Sequence, residues 1–253
     1  MKLTVIGCAG SFPAPDTPCS AYLVEAGGFR LLLDFGTGSL GELQKHLDPH
    51  LLDAVIVTHL HADHFFDTCA YAVMRRYYAP GASRRPLPLY GPAGVAERLV
   101  VSYGGQGELC PPSLRDVYDF HELEPGAFDL GPMTVTVDRV AHPVETFGVR
   151  VEHAGSSLAY SSDTGPCEAL ESLAAHCDVL LAEASYLENR ENPKGVHLTG
   201  KDAGDYATKA GAGRLLLTHL VEPWNPRETT LAEARGAYAG PVEAVRPGQV
   251  YEF

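Results

Sequence analysis

The sequence predicts an α/β domain built from two sheets packed face to face, with helices on the outside. Three observations carry this reading. Short apolar or alternating runs are punctuated by Gly and Pro, amphipathic stretches lie between them, and the second half repeats this mixture with no linker at the join. At 253 residues the chain is long enough to bury a large core, and 1–253 reads as a single domain.

Strands are predicted at Leu3–Ile6, Ala21–Glu25 and Arg30–Asp34, each bounded by turn residues. Ser39 opens a helix through His46, and Ala54–Val57 is a fourth, wholly apolar strand. Phe65–Tyr78 reads as a helix with Phe66, Ala70, Val73 and Tyr77 on its apolar face, stopped by Pro80-Gly81. A strand at Leu87–Tyr90 precedes a helix from Pro92 to Tyr103 and a turn-rich stretch from Gly104 to Ser113. Strands follow at Val117–Phe120 and Met133–Val137, then a hairpin of Phe147–Glu152 and Ser157–Tyr160 around Ala154-Gly155. The remaining elements are a helix at Pro166–His176, a strand at Val179–Ala182, a helix at Lys201–Ala210 and a strand at Arg214–Thr218. Asn225-Pro226 is predicted to cap a last helix, Arg227–Tyr238, with Glu228 near its start.

Composition narrows the function. A net charge of −13 argues against broad nucleic-acid binding, which needs a basic face. The six cysteines (Cys8, Cys19, Cys69, Cys110, Cys167, Cys177) form no C-x-x-C and suit a reduced setting. Met1–Gly7 reads as a first strand rather than a leader, and no apolar run approaches a membrane span, so a cytoplasmic protein is expected.

The chemistry concentrates after the fourth strand, in Thr58-His59-Leu60-His61-Ala62-Asp63-His64. Three His and one Asp at these positions arise by chance about 0.001 times in a chain with 11 His in 253 residues. Neutral imidazoles and a carboxylate suit zinc or a similar first-row ion; His59 and His61 can turn to one ion, Asp63 and His64 to a second. Three later stretches share the pattern of apolar run then polar donor: His142 after Met133–Val140, Asp163 after Leu158–Tyr160, and His219 after Leu215–Leu217.

Together, His59-x-His61-x-Asp63-His64 followed by His142, Asp163 and His219 resembles the metallo-β-lactamase superfamily over essentially the whole chain. The resemblance implies a four-layer αββα sandwich with its site at the sheet edges. It implies two divalent ions, zinc first with manganese or iron also allowed. On that pattern His59, His61 and His142 hold one ion, Asp63, His64 and His219 the other, and Asp163 bridges them. Asp34, before a Gly turn, matches a residue that supports ligands rather than binding metal. A homodimer is also common in the fold.

Leu181-Ala182-Glu183-Ala184-Ser185 and Val196-His197-Leu198-Thr199-Gly200 resemble motifs of the ribonuclease Z-like phosphodiesterases, which implies that His197 contacts the phosphate or acts as acid and that Glu183 orients it. Ribonuclease Z, however, carries a long basic arm between the positions matching His142 and Asp163, here only 21 residues apart. With the acidic charge, this argues against a transfer-RNA partner. The stretches around His142, Asp163 and His219, with Arg75-Arg76-Tyr77, instead resemble the bacterial atypical class II cyclic-nucleotide phosphodiesterases. That resemblance implies a small substrate, 3′,5′-cyclic AMP or a related cyclic phosphodiester, opened by a metal-activated water with Asp63, His197 and Glu183 as catalytic residues. Trp224, Phe147 and Tyr103 are candidates to stack on the base. The alternatives are transfer-RNA 3′ processing and thioester or lactam hydrolysis. A flavodiiron oxidoreductase would need Glu in place of His61 and a flavin domain.

Overall fold

A computed structural model describes residues 1–78, 85–104, 113–222 and 224–253, and its strands form two seven-stranded sheets. The first half supplies β1 (Lys2–Gly7), β2 (Ala21–Ala26), β3 (Phe29–Leu33), β4 (Ala54–Ile56), β5 (Leu87–Gly91) and β6 (Tyr118–Glu122). The second supplies β7 (Gly126–Leu130), β8 (Met133–Arg139), β9 (Phe147–His153), β10 (Ser156–Tyr160), β11 (Val179–Glu183), β12 (Arg214–Thr218) and β13 (Val242–Ala244), while β14 (Val250–Glu252) returns to pair with β1. The orders are β14-β1-β2-β3-β4-β5-β6 and β13-β12-β11-β10-β9-β8-β7. Each sheet is antiparallel at one end and parallel at the other: β3 to β6 run parallel, as do β10 to β13.

Period-two alternation distributes single strands between layers. Leu31 and Leu33 of β3 point into the space between the sheets, where they join Val135, Phe147, Val149 and Tyr160. Leu32, from the same strand, packs outward with Val55, Leu89, Tyr71 and Leu99. On the second sheet Leu216 faces inward, while Leu215 and Leu217 meet Leu170, Ala207 and Ala234. The outer layers are α1 (Ser39–Leu43), α2 (Ala62–Phe65), α3 (Asp67–Tyr77) and α4 (Val95–Tyr103) on one side, with α5 (Glu168–Ala174), α6 (Gly200–Ala210) and α7 (Arg227–Ala237) on the other. This is the αββα sandwich. Among the described residues no helix is long and apolar enough to cross a membrane.

Several sequence expectations shift. The helix predicted over Phe65–Tyr78 is two pieces that meet at Phe66, and its predicted apolar face is the exposed one. Phe66, Val73 and Tyr77 are 46%, 39% and 65% exposed, whereas Thr68, Tyr71 and Ala72 are buried. The Tyr71 hydroxyl donates to the Pro49 carbonyl, so a polar-tipped ring and a threonine form the inner face. The helix from Ser39 closes at Leu43, short of His46. Asn225 does not cap α7; its buried amide donates to the Ala184 and Ser185 carbonyls. Thr199 does cap α6, in a capping box with Asp202. Strands β7, β13 and β14 were not predicted. Pro80-Gly81, Cys110 and most of the turn-rich stretch lie outside the described residues; the other five cysteines are free thiols.

The donor loop is seated on the turn after β3. The Phe35 amide donates to the His64 carbonyl at 2.7 Å, and the Asp67 amide to the Phe35 carbonyl at 3.0 Å. A Cβ on Gly36 would overlap the Asp63 carbonyl and press on Cys19. Gly36→Ala is therefore expected to destabilise the fold by about 3 kcal/mol, the upper end for overpacking. A chemical-denaturation midpoint unchanged from wild type would show that the loop is not seated this way.

Candidate active site

The parallel strands end on one edge of the sandwich, and the donors sit where they end. β4 runs through Val57-Thr58 into His59, β10 through Ser161-Ser162 into Asp163, and β12 directly into His219. β8 leads through Val140-Ala141 to His142, and α2 presents Asp63 and His64. His59, His64, Asp63, Asp163 and His219 are all buried, and His61 and His142 half-buried.

The donors fall into two groups. His61 Nδ1 lies 3.1 Å from His59 Nε2 and 3.2 Å from His142 Nε2. His219 Nε2 lies 3.1 Å from Asp63 Oδ2 and 3.3 Å from His64 Nε2. Asp163 stands between them: Oδ1 is 3.2 Å from His64 Nε2 and 3.3 Å from His219 Nε2, and Oδ2 is 3.8 Å from His59 Nε2. Donor atoms around a tetrahedral zinc-sized ion, bound at about 2.0–2.1 Å, are separated by about 3.3 Å. Asp163 Oδ1 is also buried with no hydrogen-bond partner, a costly condition that a cation would relieve. The set suits divalent metal ions.

Electrostatics point the same way. Burial lowers the pKa values of His59, His61 and His142 below the ordinary histidine value, which favours the neutral, ligating imidazole. Burial opposes charge on Asp63, but His64 and His219 outweigh it and hold the carboxyl well below its usual range. Burial also opposes charge on His64, yet Asp163, Asp34 and Asp63 lift its pKa well above normal. A cation entering this group would displace that proton.

Outer partners fix the rings. Buried Asp34 accepts from His64 Nδ1 (2.7 Å), Tyr160 Oη (2.8 Å), and the Thr58 amide (2.7 Å) and hydroxyl (3.0 Å). His142 Nδ1 donates to the Val196 carbonyl at 2.9 Å, and His219 Nδ1 meets Ser185 Oγ at 2.7 Å. With the opposite ring nitrogen engaged, Nε2 of each is turned to the centre. Asp34, Ser11, Ser162 and His219 all have φ between 54° and 62°, so strained backbone gathers at this edge.

Beside the second group stands His197. Its Nδ1 is 2.7 Å from Glu183 Oε1, and Glu183 is fully buried at the end of β11. The carboxylate also accepts from the amides of Thr164 and Ser185 and from the Ser185 hydroxyl. Burial alone would lower the His197 pKa, but Glu183 overrides it and raises it to about 9. His197 opens onto a cavity of about 400 Å³ walled by Tyr186, Leu187, Pro193, Val221 and Trp224.

With this geometry established, relatives are informative. Residues 30–220, which contain every donor named above, match the family model for the β-lactamase superfamily domain. The chain belongs to this superfamily. An uncharacterized protein of Mycobacterium tuberculosis is 42% identical over the whole chain and 92% of its own length. Ribonuclease Z of a Mycobacterium species is 30% identical, covering 95% of this chain and 91% of the relative. The crystal structure of the metallo-β-lactamase fold protein YhfI from Bacillus subtilis superposes with a TM-score of 0.88 at 28% identity, covering 99% and 98% of the two chains. YhfI itself is described as a probable metallo-hydrolase. The protein is thus a hydrolase of the metallo-β-lactamase fold.

The superfamily's edge gathers every predicted donor, together with His197 and Glu183. It does not gather two of the three aromatic candidates. Phe147 is fully buried between the sheets and cannot meet a substrate. Tyr103 accepts from Arg76 Nη1 at 3.0 Å and does not line the cavity. Arg76 pairs with Asp116, and Arg75 holds Tyr71 and the Arg85 carbonyl, so both brace the helix layer. Sequence reasoning missed Ser11, whose amide donates to Asp63 Oδ2 at 2.8 Å, and Tyr186, whose ring stands edge-on to His197 at 5.0 Å. Ser11 sits in a Gly- and Pro-rich loop that marks a turn but not its partner.

Proposed function

We propose that the protein is a two-metal phosphodiesterase that hydrolyses a small cyclic phosphodiester, with 3′,5′-cyclic AMP the first candidate and the 5′-monophosphate as product. The observation that carries this is the hydrogen-bonded pair of buried Glu183 and half-buried His197 beside the Asp/His cluster. His59, His61 and His142 would hold one ion and Asp63, His64 and His219 the other, with Asp163 between, zinc being first choice and manganese or iron alternatives. Bound there, such ions supply Lewis acidity, making a water nucleophilic at neutral pH and offsetting phosphate charge.

The protein's own groups do the rest. Glu183 keeps His197 protonated at neutral pH, and no group among the described residues bonds the Nε2 of His197. As the P–O3′ bond breaks, His197 gives its proton to the departing ribose oxygen, which would otherwise leave as an alkoxide. Asp63, held by the Ser11 amide and kept ionised, is placed to accept the proton lost by the attacking water. A cavity of about 400 Å³ is at the small end for ligand sites and matches one mononucleotide.

The second reading, ribonuclease Z-like transfer-RNA 3′ processing, is favoured by the 30% identity to a mycobacterial ribonuclease Z. The net charge of −13 speaks against it. The deciding experiment offers metal-loaded protein cyclic AMP and, separately, a 3′-extended transfer-RNA precursor, with Asp63→Ala as blank. Metal-dependent conversion of the nucleotide without RNA trimming is expected; trimming with an inert cyclic nucleotide would reverse the assignment.

A further inference from the structure

The aromatic lining of the cavity beside His197 has no task in the chemistry above, yet it is firmly held. Tyr186 is pinned at its backbone, its amide donating to the Leu198 carbonyl at 2.9 Å, and its ring stands edge-on to His197. Trp224 is held from both ends. Its neighbour Asn225 is buried and anchored to the Ala184 and Ser185 carbonyls, and its ring meets Phe12 edge-to-face at 5.6 Å. Trp224 is nonetheless 59% exposed, unusual for the largest apolar side chain and the chain's only tryptophan. Among the described residues, neither the Tyr186 hydroxyl nor the Trp224 indole N–H makes a hydrogen bond, and Arg190 at the mouth has no ion-pair partner. Two rigid aromatic surfaces, two free hydrogen-bonding tips and an unpaired guanidinium thus surround one cavity. An aliphatic acyl chain has no use for those polar tips. A planar nitrogen heterocycle does: its faces stack on aromatic rings and guanidinium planes, and its edge carries donors and acceptors.

We infer that Tyr186, Trp224 and Arg190 form a nucleobase subsite, which holds the base of the substrate while its phosphate lies at the Asp/His cluster. The inference rests on the phosphodiester reading for the position of the phosphate. Stacking is tolerant of base identity, so the subsite separates nucleotides from base-free phosphodiesters more sharply than one base from another.

The single tryptophan supplies a readout that needs no turnover. Its fluorescence is titrated with adenosine 5′-monophosphate and with ribose 5-phosphate, in wild type and in Tyr186→Ala. Saturable quenching by the nucleotide but not by the sugar phosphate is expected, with apparent Kd roughly tenfold weaker in Tyr186→Ala. Equal responses to both ligands, no response, or no weakening in Tyr186→Ala would overturn the subsite, whatever the enzyme hydrolyses. Kinetics give the second arm, with 3′,5′-cyclic AMP against 1-O-methylribose 3′,5′-cyclic phosphate, which lacks the base. Trp224→Ala is expected to lower the ratio of kcat/KM for the nucleotide over the base-free ester roughly tenfold, through KM. An unchanged ratio counts against the subsite. Failure of wild type to open either ester would instead reject the phosphodiesterase reading, and the fluorescence result would still decide whether a base binds here.

Discussion

Asp163→Asn is expected to lower turnover by about 10³-fold and to reduce the bound metal from about two ions per chain to about one. Asp163 is the one side chain here whose two carboxylate oxygens face different donor groups, Oδ1 towards His64 and His219 and Oδ2 towards His59. Oδ1 is buried without a hydrogen bond, so asparagine breaks none at that atom. Asparagine preserves the shape but replaces one oxygen with a donor nitrogen that cannot ligate, and it removes the negative charge. One group of donors then loses its shared ligand. Elemental analysis of the purified variant reads the metal loss, and the thermal midpoint of the metal-free form checks the fold. A variant that retains two ions and stays within about tenfold of wild-type turnover would remove Asp163 from the bridging position.

How much of this could be read from the chain depends on where each residue's partner lies. The donors were legible because parallel strands end on one edge, so a rule of apolar run then polar residue suffices to place His59, Asp163 and His219 together. The layers were legible for the same reason: Leu31, Leu32 and Leu33 are all apolar because this strand is covered on both sides. What failed needed tertiary context. The spacing of Phe66, Ala70, Val73 and Tyr77 points to the wrong face of α3, because Thr68 bonds the Phe65 carbonyl and Tyr71 the Pro49 carbonyl from buried positions. β13 and β14 are three residues each, too short for a periodic signal, and form only because β12 and β1 offer open edges. Phe147 follows a predicted ligand closely in sequence, but it begins a strand whose inner face it shares with Val149 and Val151.

Glu183→Gln is expected to change the pH dependence of turnover as well as its size. In the wild type, the His197 pKa raised to about 9 keeps that imidazole protonated, and competent as an acid, through the neutral range. Activity should fall as the pH rises through a basic limb at or below pH 9, because cations bound at the neighbouring donors would push the value downward. Without the carboxylate, the largest upward influence on His197 is gone and its pKa drops. Loss of protonation then lowers turnover more at pH 8 than at pH 6. Stability carries the same sign: the charged pair supports the fold fully below about pH 6.5, and that support fades as the pH rises through about 9. His197→Ala should remove the basic limb altogether and lower kcat by about 10²-fold or more. A Glu183→Gln variant with the same fractional loss at every pH between 6 and 9 would mean that the carboxylate holds the ring in place without setting its charge.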